Sequence, residues 1–245
     1  MADLVYGNAN IIMQSESRLL TRRRIRDLVA APDRDGVLAI LADCGYATDL
    51  PDDTALLHAE RTKTLTTFTD LCPDPYLCTA VTALDGLTES NVLANFATIA
   101  DAVPHIKNAA LREYFTTLAD LTNVRTFYKG GKTWVAGGTL TKYDIFPDLD
   151  ATAIQAAIDA RLDALAAIDK DDIFQPNPLF WWYHQKQKEL VVVKTILAGK
   201  RCGYDAATLR TALRGLYEQF ASSHCRDWRA HHCPGLYGLG LRLFL

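Results

Sequence analysis

Helical patterns run through most of this 245-residue chain, and they constrain its fold more than any other feature. Apolar residues recur at intervals of three or four in one segment after another, as they do on the buried face of an amphipathic helix. Strand patterns are few. The segment from Thr133 to Pro147 predicts an ordered loop that holds at most one short strand. The sequence therefore predicts an all-α fold, long enough for one large domain or two small ones.

Capping residues and helix breakers divide the helical pattern. Cys72-Pro-Asp-Pro75 cannot continue a helix, so it predicts a linker or a lobe boundary. Pro104 suits the first turn of a long helix that Gly130-Gly131 ends after Tyr128. A later helix is predicted from Leu179 to Ala198, with Gly199 as its stop. The predicted N-caps are Thr21, Asp33 and Asp150, a last helix is predicted to begin near Asp205, and Gly45 is a further predicted C-terminal stop.

Two charged residues interrupt the predicted apolar faces. Arg125 continues the face of one helix, and Glu189 lies within the face of another. Because a lone buried charge is costly and a hydrogen-bonded pair much less so, one hypothesis brings these two together or against a partner subunit. The alternatives are an arginine that reaches solvent at a helix C-terminus and a half-exposed glutamate. The faces are defined by Leu111, Phe115, Leu118 and Thr122 around Arg125, and by Trp182, Val193 and Ile196 around Glu189.

Composition argues against several classes of partner. The formal net charge of -3 gives no global field for a polyanion, so nucleic acid is not an expected partner. The basic run from Arg22 to Arg26 indicates a solvated helix face or a phosphate or lipid patch. No segment approaches the roughly 18 apolar residues of a membrane span, and the N-terminus lacks signal-peptide features. We therefore expect a cytoplasmic protein.

The six cysteines are scattered, so free thiols are expected. The densest group of metal-ligand side chains lies between His224 and Cys233, but its spacing differs from that of structural zinc sites. Gly130-Gly131-Lys132-Thr133 is similar to the end of a P-loop, yet Thr126 replaces the first glycine and a helix C-cap explains the pair. No nucleophile elbow or metalloprotease motif occurs. The sequence thus predicts a protein with no catalytic, cofactor or metal residues, although a triad assembled in space stays open.

Trp181-Trp182-Tyr183 forms an aromatic group at the start of the later helix. Trp182 belongs to the apolar stripe and is predicted to be core. Trp181 and Tyr183 point elsewhere around the helix, so they are candidates for an interface, with core packing as the alternative.

Several phrases carry a family resemblance through their order along the chain. They are Tyr6-Gly-Asn-Ala9 with Glu16-Ser-Arg-Leu-Leu20, Leu41-Ala-Asp-Cys-Gly-Tyr46, Asp120-Leu-Thr-Asn-Val-Arg-Thr126 with Gly137-Gly138-Thr-Leu140, Lys188-Glu189 through Ile196-Leu-Ala-Gly-Lys200, and Leu209-Arg210 to Leu213-Arg214. In this order they resemble the C-subunit family of prokaryotic V-type (A-type) ATP synthases, which is related to the d-subunit of eukaryotic V-ATPases. The resemblance covers about two-thirds of the chain.

The chain departs from this family in two places. An Asp-Tyr-His-Asn-Leu-Lys phrase, expected in the middle, is absent between Pro75 and Asp101, and the tail after Phe220 follows no family pattern. The resemblance therefore implies helical lobes of a funnel type with one lobe shortened. The expected divisions are an N-terminal lobe (1–72), a shortened middle region (73–130), a C-terminal lobe (131–220) and a divergent tail (221–245).

The resemblance implies a mechanical function. Members of the C-subunit family are sockets between the membrane rotor ring and the central shaft, and they neither hydrolyse ATP nor carry ions. The expected partners are therefore the ring and shaft subunits, and the chain is expected to reach a membrane only as part of that peripheral complex. The alternative is a helical adaptor of the same descent that no longer joins a rotary ATPase.

Overall fold

The computed structural model describes residues 2–16, 19–128, 130–140 and 160–213. Every regular element within these residues is helical, which confirms the predicted all-α fold. None of the helices described is long and apolar enough to cross a lipid bilayer. The elements are α1 (Ala2–Glu16), α2 (Arg22–Ala30), α3 (Arg34–Asp43), α4 (Asp53–Leu71), α5 (Pro75–Asp85), α6 (Val92–Ala102), a 3₁₀ turn (Val103–His105), α7 (Ala109–Tyr128), α8 (of which 160–166 are described), α9 (Asn177–Arg201) and α10 (206–213).

Side-chain caps start three of the helices where the sequence predicts them. The Thr21 hydroxyl accepts the Arg24 amide at 3.2 Å, and the Asp33 carboxylate accepts the Gly36 amide at 2.9 Å. The Asp205 carboxylate accepts the Thr208 amide at 2.7 Å before α10. These bonds satisfy backbone donors that have no partner inside the helix.

The ends of α7 confirm one prediction and correct another. Pro104 lies in the 3₁₀ turn, and α7 itself begins at Ala109. The Asn108 side chain supplies its cap, since its Oδ1 accepts the Leu111 amide at 3.1 Å. At the other end Gly130 adopts φ +77°, and the Gly131 amide donates to the Thr126 carbonyl at 2.8 Å. The glycine pair therefore forms a helix C-cap. This is the interpretation that the sequence favours, in preference to a phosphate-binding loop.

Gly199 does not stop α9, which corrects the sequence prediction. The helix continues to Arg201, and Gly203, with φ +76°, follows its end. A Cβ added to Gly199 would lie 2.5 Å from the Leu209 side chain, so this glycine permits α10 to pack closely on α9. Gly199 is predicted to stop the helix, but its lack of a side chain instead leaves room for Leu209.

The chain divides into two compact units. Among the described residues, unit 1 holds 2–16, 65–128, 130–140 and 160–184, and unit 2 holds 19–64 and 185–213. Each unit joins segments that are distant in sequence, and α4 and α9 each contribute to both. The lobes expected at 1–72, 73–130 and 131–220 stay a prediction, and the break at 72–75 lies inside unit 1. The expected tail (221–245) and the predicted cap Asp150 lie outside the described residues.

Unit 1 has an aromatic core. The ring centroids of Tyr114 and Phe180 are 4.8 Å apart, those of Phe115 and Phe180 are 5.7 Å apart, and those of Phe68 and Tyr183 are 5.3 Å apart. All five side chains are buried. The two contacts of Phe180 are edge-to-face, and such contacts stabilise the unit beyond apolar burial alone.

Unit 2 has an aliphatic core instead. Its buried side chains come from α2, α3, α4, α9 and α10, and include Ile25, Leu28, Val37, Leu41, Leu56, Val193, Ile196, Leu197 and Leu209. Here α2 packs on α3. The predicted stripe with Val193 and Ile196 is therefore confirmed as core.

The α3 cap can be tested by substitution. Asp33→Ala is expected to lower the free energy of unfolding by about 1 kcal/mol, because the Gly36 amide loses its acceptor. Urea denaturation measures the change. The control Asp33→Asn keeps an oxygen acceptor and should retain most of the stability, and an equal loss in both variants would contradict the cap.

Candidate functional site

A buried glutamate forms the centre of one polar cluster in unit 2. Glu189 is 0% exposed on α9, and Lys186, one turn earlier, places its ammonium 2.7 Å from Oε1. The same oxygen accepts the Tyr46 hydroxyl at 2.6 Å, and Oε2 accepts the Leu20 amide at 2.5 Å. Glu60 of α4 lies 3.6 Å from the same ammonium. We name these five residues the Glu189 junction.

The Glu189 junction is stabilised because each charge has opposite charge or donors beside it. Two carboxylates, Glu189 and Glu60, share the buried Lys186 ammonium, which also lies 5.4 Å from the centre of the Tyr46 ring. Burial first, and then the negative charge of Glu189, raise the pKa of Tyr46 well above its ordinary value. The phenol therefore stays protonated and remains a donor to the carboxylate.

The junction connects segments that are far apart in the chain. Leu20 precedes α2, Tyr46 follows α3, and Glu189 lies on α9. Both carboxylate oxygens of Glu189 have protein donors. The arrangement therefore serves as an acceptor that ties these segments together.

Unit 2 contains a second charged contact at the start of α4. Asp53 is 5% exposed, and its Oδ1 accepts from Arg34 Nε at 2.8 Å and Nη2 at 2.7 Å. Arg201, at the end of α9, donates to the other oxygen. One carboxylate thus joins the N-terminus of α4 to α3 and α9 through charge-assisted bonds.

A buried aspartate orders the loop after α7 in unit 1. Asp120 Oδ1 accepts the amides of Thr139 at 2.7 Å and Leu140 at 2.9 Å, and Oδ2 accepts the Thr139 hydroxyl at 2.8 Å. One turn later Asn123 bonds the backbone of Val135 twice, accepting its amide at 2.8 Å and donating to its carbonyl at 3.2 Å. We name these five residues the Asp120 junction.

The glycine pair of this loop is needed for close approach. A Cβ added to Gly138 would lie 2.4 Å from Asp120 Oδ1, and Gly137 has φ +90°. Any side chain at Gly138 would therefore displace the carboxylate that binds the next two amides.

The structure places the four predicted site residues in different settings. Glu189 is fully buried, and the cation against it is Lys186. Arg125 is half-buried near the end of α7 in unit 1, so its pairing with Glu189 stays a prediction. Trp181 is half-buried, with the Lys170 ammonium 5.1 Å from its ring centre, and its interface role stays a prediction.

Tyr183 corrects the interface prediction, because it is core. It is 1% exposed, its hydroxyl donates to Asp85 at 3.0 Å, and its ring lies against Phe68. A tyrosine can be buried when its hydroxyl has a partner, and Asp85 at the end of α5 supplies one. Trp182, predicted as core, is buried at 3% exposure.

Sequence reasoning missed the partners of Glu189. Lys186 precedes it by three residues, a spacing that places two side chains on one helix face, so a local signal existed. Tyr46 ends one of the resemblance phrases, but nothing in the sequence relates it to α9. Glu60 also lacked a signal, since its burial depends on the fold.

A histidine in unit 1 has both ring nitrogens occupied. His184 Nε2 lies 2.8 Å from Asp163 Oδ1, and Nδ1 lies 3.1 Å from the Tyr114 hydroxyl. Within the residues described, no three His, Cys, Asp or Glu side chains are grouped to hold a metal ion. The segment from His224 to Cys233 lies outside them.

Comparison with protein-family models, curated proteins and solved structures found no match to this chain. The family resemblance therefore rests on the ordered phrases.

The Glu189 junction predicts that one conservative substitution, at Glu189, strongly lowers the free energy of unfolding. Glu189→Gln is expected to lower the free energy of unfolding by about 3 kcal/mol, because it leaves the Lys186 ammonium without its closest counter-charge. Chemical denaturation measures it. The matched control is Glu113→Gln, which removes an exposed pair with Arg161 and should cost less than about 1 kcal/mol. Similar losses in the two variants would refute the assignment of a special role to Glu189.

The Asp120 junction predicts that substitution of Asp120 speeds up amide hydrogen exchange only in the loop that it binds. In Asp120→Ala the amides of Thr139 and Leu140 should exchange hydrogen at least about tenfold faster, because they lose a charged acceptor. Amides of α5, in the same unit, should keep their rates. Unchanged exchange at Thr139 and Leu140 would show that Asp120 does not hold this loop.

Proposed function

We propose that this chain is a non-catalytic central-rotor subunit of a V/A-type rotary ATPase. In this role it is a socket that couples the membrane rotor ring to the central shaft, and so supports ion transport linked to ATP synthesis or hydrolysis. It needs no cofactor of its own.

One observation carries the proposal: residues from separate phrases that resemble the C-subunit family are bonded to one another in the two junctions. Leu20, Tyr46 and Glu189 belong to three separate phrases and are joined by hydrogen bonds. Asp120 likewise binds Thr139 and Leu140, in the phrase that follows its own. Phrases that depend on one another structurally are expected to occur together, which supports interpreting their order as a family pattern.

The junctions also suit a part that transmits torque. Such a part must resist sliding of one helix along another under load. Moving α9 relative to the Leu20 and Tyr46 segments would remove two of the three donors of the buried Glu189 carboxylate and leave only Lys186, which is unfavourable. Close-packed apolar cores add low compressibility. Both properties favour a rigid coupling piece within each unit.

An exposed apolar face on α1 supplies a candidate contact with the neighbouring subunits. Leu4 and Ile11 are 68% and 57% exposed, and Val5 and Ile12 lie beside them on the same side of the helix. Apolar side chains grouped in this way on a surface mark interaction sites. Trp181 is a second candidate.

The alternative is a helical adaptor of the same descent outside a rotary ATPase. The absence of the middle phrase between Pro75 and Asp101 favours it. The two functions differ in their partners: only the rotor subunit binds both the ring and the shaft.

Reconstitution with the ring and shaft subunits from the same cells tests the proposal. We expect the chain to co-elute with both on size exclusion. The variant Leu4→Ser/Ile11→Ser/Ile12→Ser should weaken binding at least about tenfold, since it removes much of the apolar contact area, while its circular dichroism and Tm stay the same. The matched control is Leu93→Ser, which changes an exposed leucine on α6 of the same unit. The rotor function requires binding to both partners. If the unaltered chain does not bind the ring, or does not bind the shaft, the rotor function is refuted.

A further inference from the structure

Two cysteines meet at the connection between α4 and α5 in unit 1. Cys72 directly follows α4, and Cys78 is in the first turns of α5. Pro73-Asp74-Pro75 joins the two helices, with Asp74 as the N-cap of α5. The Cys78 side chain reaches back to the Cys72 backbone across this connection, although the two residues are six positions apart.

Both thiols point at the short loop that joins the helices. The Cys78 sulfur lies 3.5 Å from the Cys72 carbonyl oxygen, and the Cys72 sulfur lies 3.7 Å from the Asp74 carbonyl oxygen. The two thiols also interact with each other, since each changes the pKa of the other. Both sulfur atoms therefore lie against the same short loop, which joins the two cysteines.

The two thiols are chemically unequal. The hydrogen bond from Cys72 lowers the pKa of the Cys78 thiol, because it stabilises the thiolate. The same hydrogen bond and burial raise the pKa of Cys72. Cys78 is also partly exposed, whereas Cys72 is 8% exposed. Since the thiolate is the reactive form, Cys78 is the nucleophile and Cys72 the second thiol beside it.

We propose that Cys72 and Cys78 form a peroxide-sensitive dithiol that closes to an intramolecular disulfide. The Cys78 thiolate attacks one oxygen of hydrogen peroxide or an alkyl hydroperoxide. The O–O bond breaks, Cys78 becomes a sulfenic acid, and hydroxide or alkoxide leaves. The Cys72 sulfur then attacks the Cys78 sulfur, the S–O bond breaks, and the Cys72 proton leaves with the hydroxyl as water. The peroxide is the oxidant, and the two thiols are oxidised.

Closure would change the surroundings of a tyrosine on α1. Burial first, and then the neighbouring Cys72 thiol, raise the pKa of Tyr6 above its ordinary value. A disulfide removes the Cys72 thiol proton and also ties the end of α4 to the start of α5. Oxidation at this connection therefore changes the environment of the Tyr6 hydroxyl.

Mapping the oxidised full chain tests the proposal. The reduced protein is treated with hydrogen peroxide, remaining thiols are alkylated, and the chain is cleaved before Asp74, which places Cys72 and Cys78 on separate peptides. We expect the two peptides to be joined, with the loss of two hydrogen atoms. Cys44 and Cys202 should remain alkylated.

Single variants separate the two roles. Cys72→Ser should stop at a sulfenic acid on Cys78 that dimedone traps, whereas Cys78→Ser should leave Cys72 unoxidised under the same conditions. Cys202→Ser, which changes an exposed cysteine of unit 2, should form the disulfide as the unaltered chain does.

Peptide mapping of the unaltered chain decides the test even if a variant fails to fold. Recovery of Cys72 and Cys78 as separate alkylated peptides after peroxide would overturn the proposal. Linkage of either residue mainly to any of the other four cysteines of the chain would also overturn it. Neither result bears on binding to ring or shaft, so this proposal and the rotor function fail independently.

Discussion

Burial of the Glu189 carboxylate is the constraint on which unit 2 depends. Removing an ion from water costs several kcal/mol, and the fold recovers this only if every oxygen has a well-placed donor. Lys186, Tyr46 and Leu20 supply those donors from α9 and from the segments after α3 and before α2. The apolar side chains of these segments would tolerate small shifts, but the carboxylate would not. A polar centre thus fixes the register of an otherwise aliphatic core.

Unit 1 uses the same principle with backbone donors. Asp120 accepts two successive amides of a loop whose described residues, 130–140, contain no helix or strand, and Asn123 satisfies Val135. The loop is therefore ordered by two side chains of α7 in place of a regular backbone ladder. Gly138 is small because the carboxylate occupies the space its side chain would need.

These junctions explain why polar motif residues can occur in a chain proposed to have no chemistry of its own. Glu189 and Asp120 have the residue types of catalytic acids, but their oxygens are occupied by donors that hold the chain together. Function is then expected at surfaces, where α1 presents Leu4 and Ile11 to solvent. The Cys72 and Cys78 thiols are a different case, because Cys78 is partly exposed and can react.

The sequence by itself determined the helical class and several helix ends. Thr21 and Asp33 could be predicted as caps because a cap depends on residues within one turn of it. Only the tertiary structure decided that Gly199 permits a helix contact instead of stopping α9, and that Tyr183 is core with Asp85 as its partner. The division into units of interleaved segments was also beyond the sequence. The physical reason is distance along the chain: the partners that bury a side chain lie many residues away, and no local pattern encodes which of them will meet.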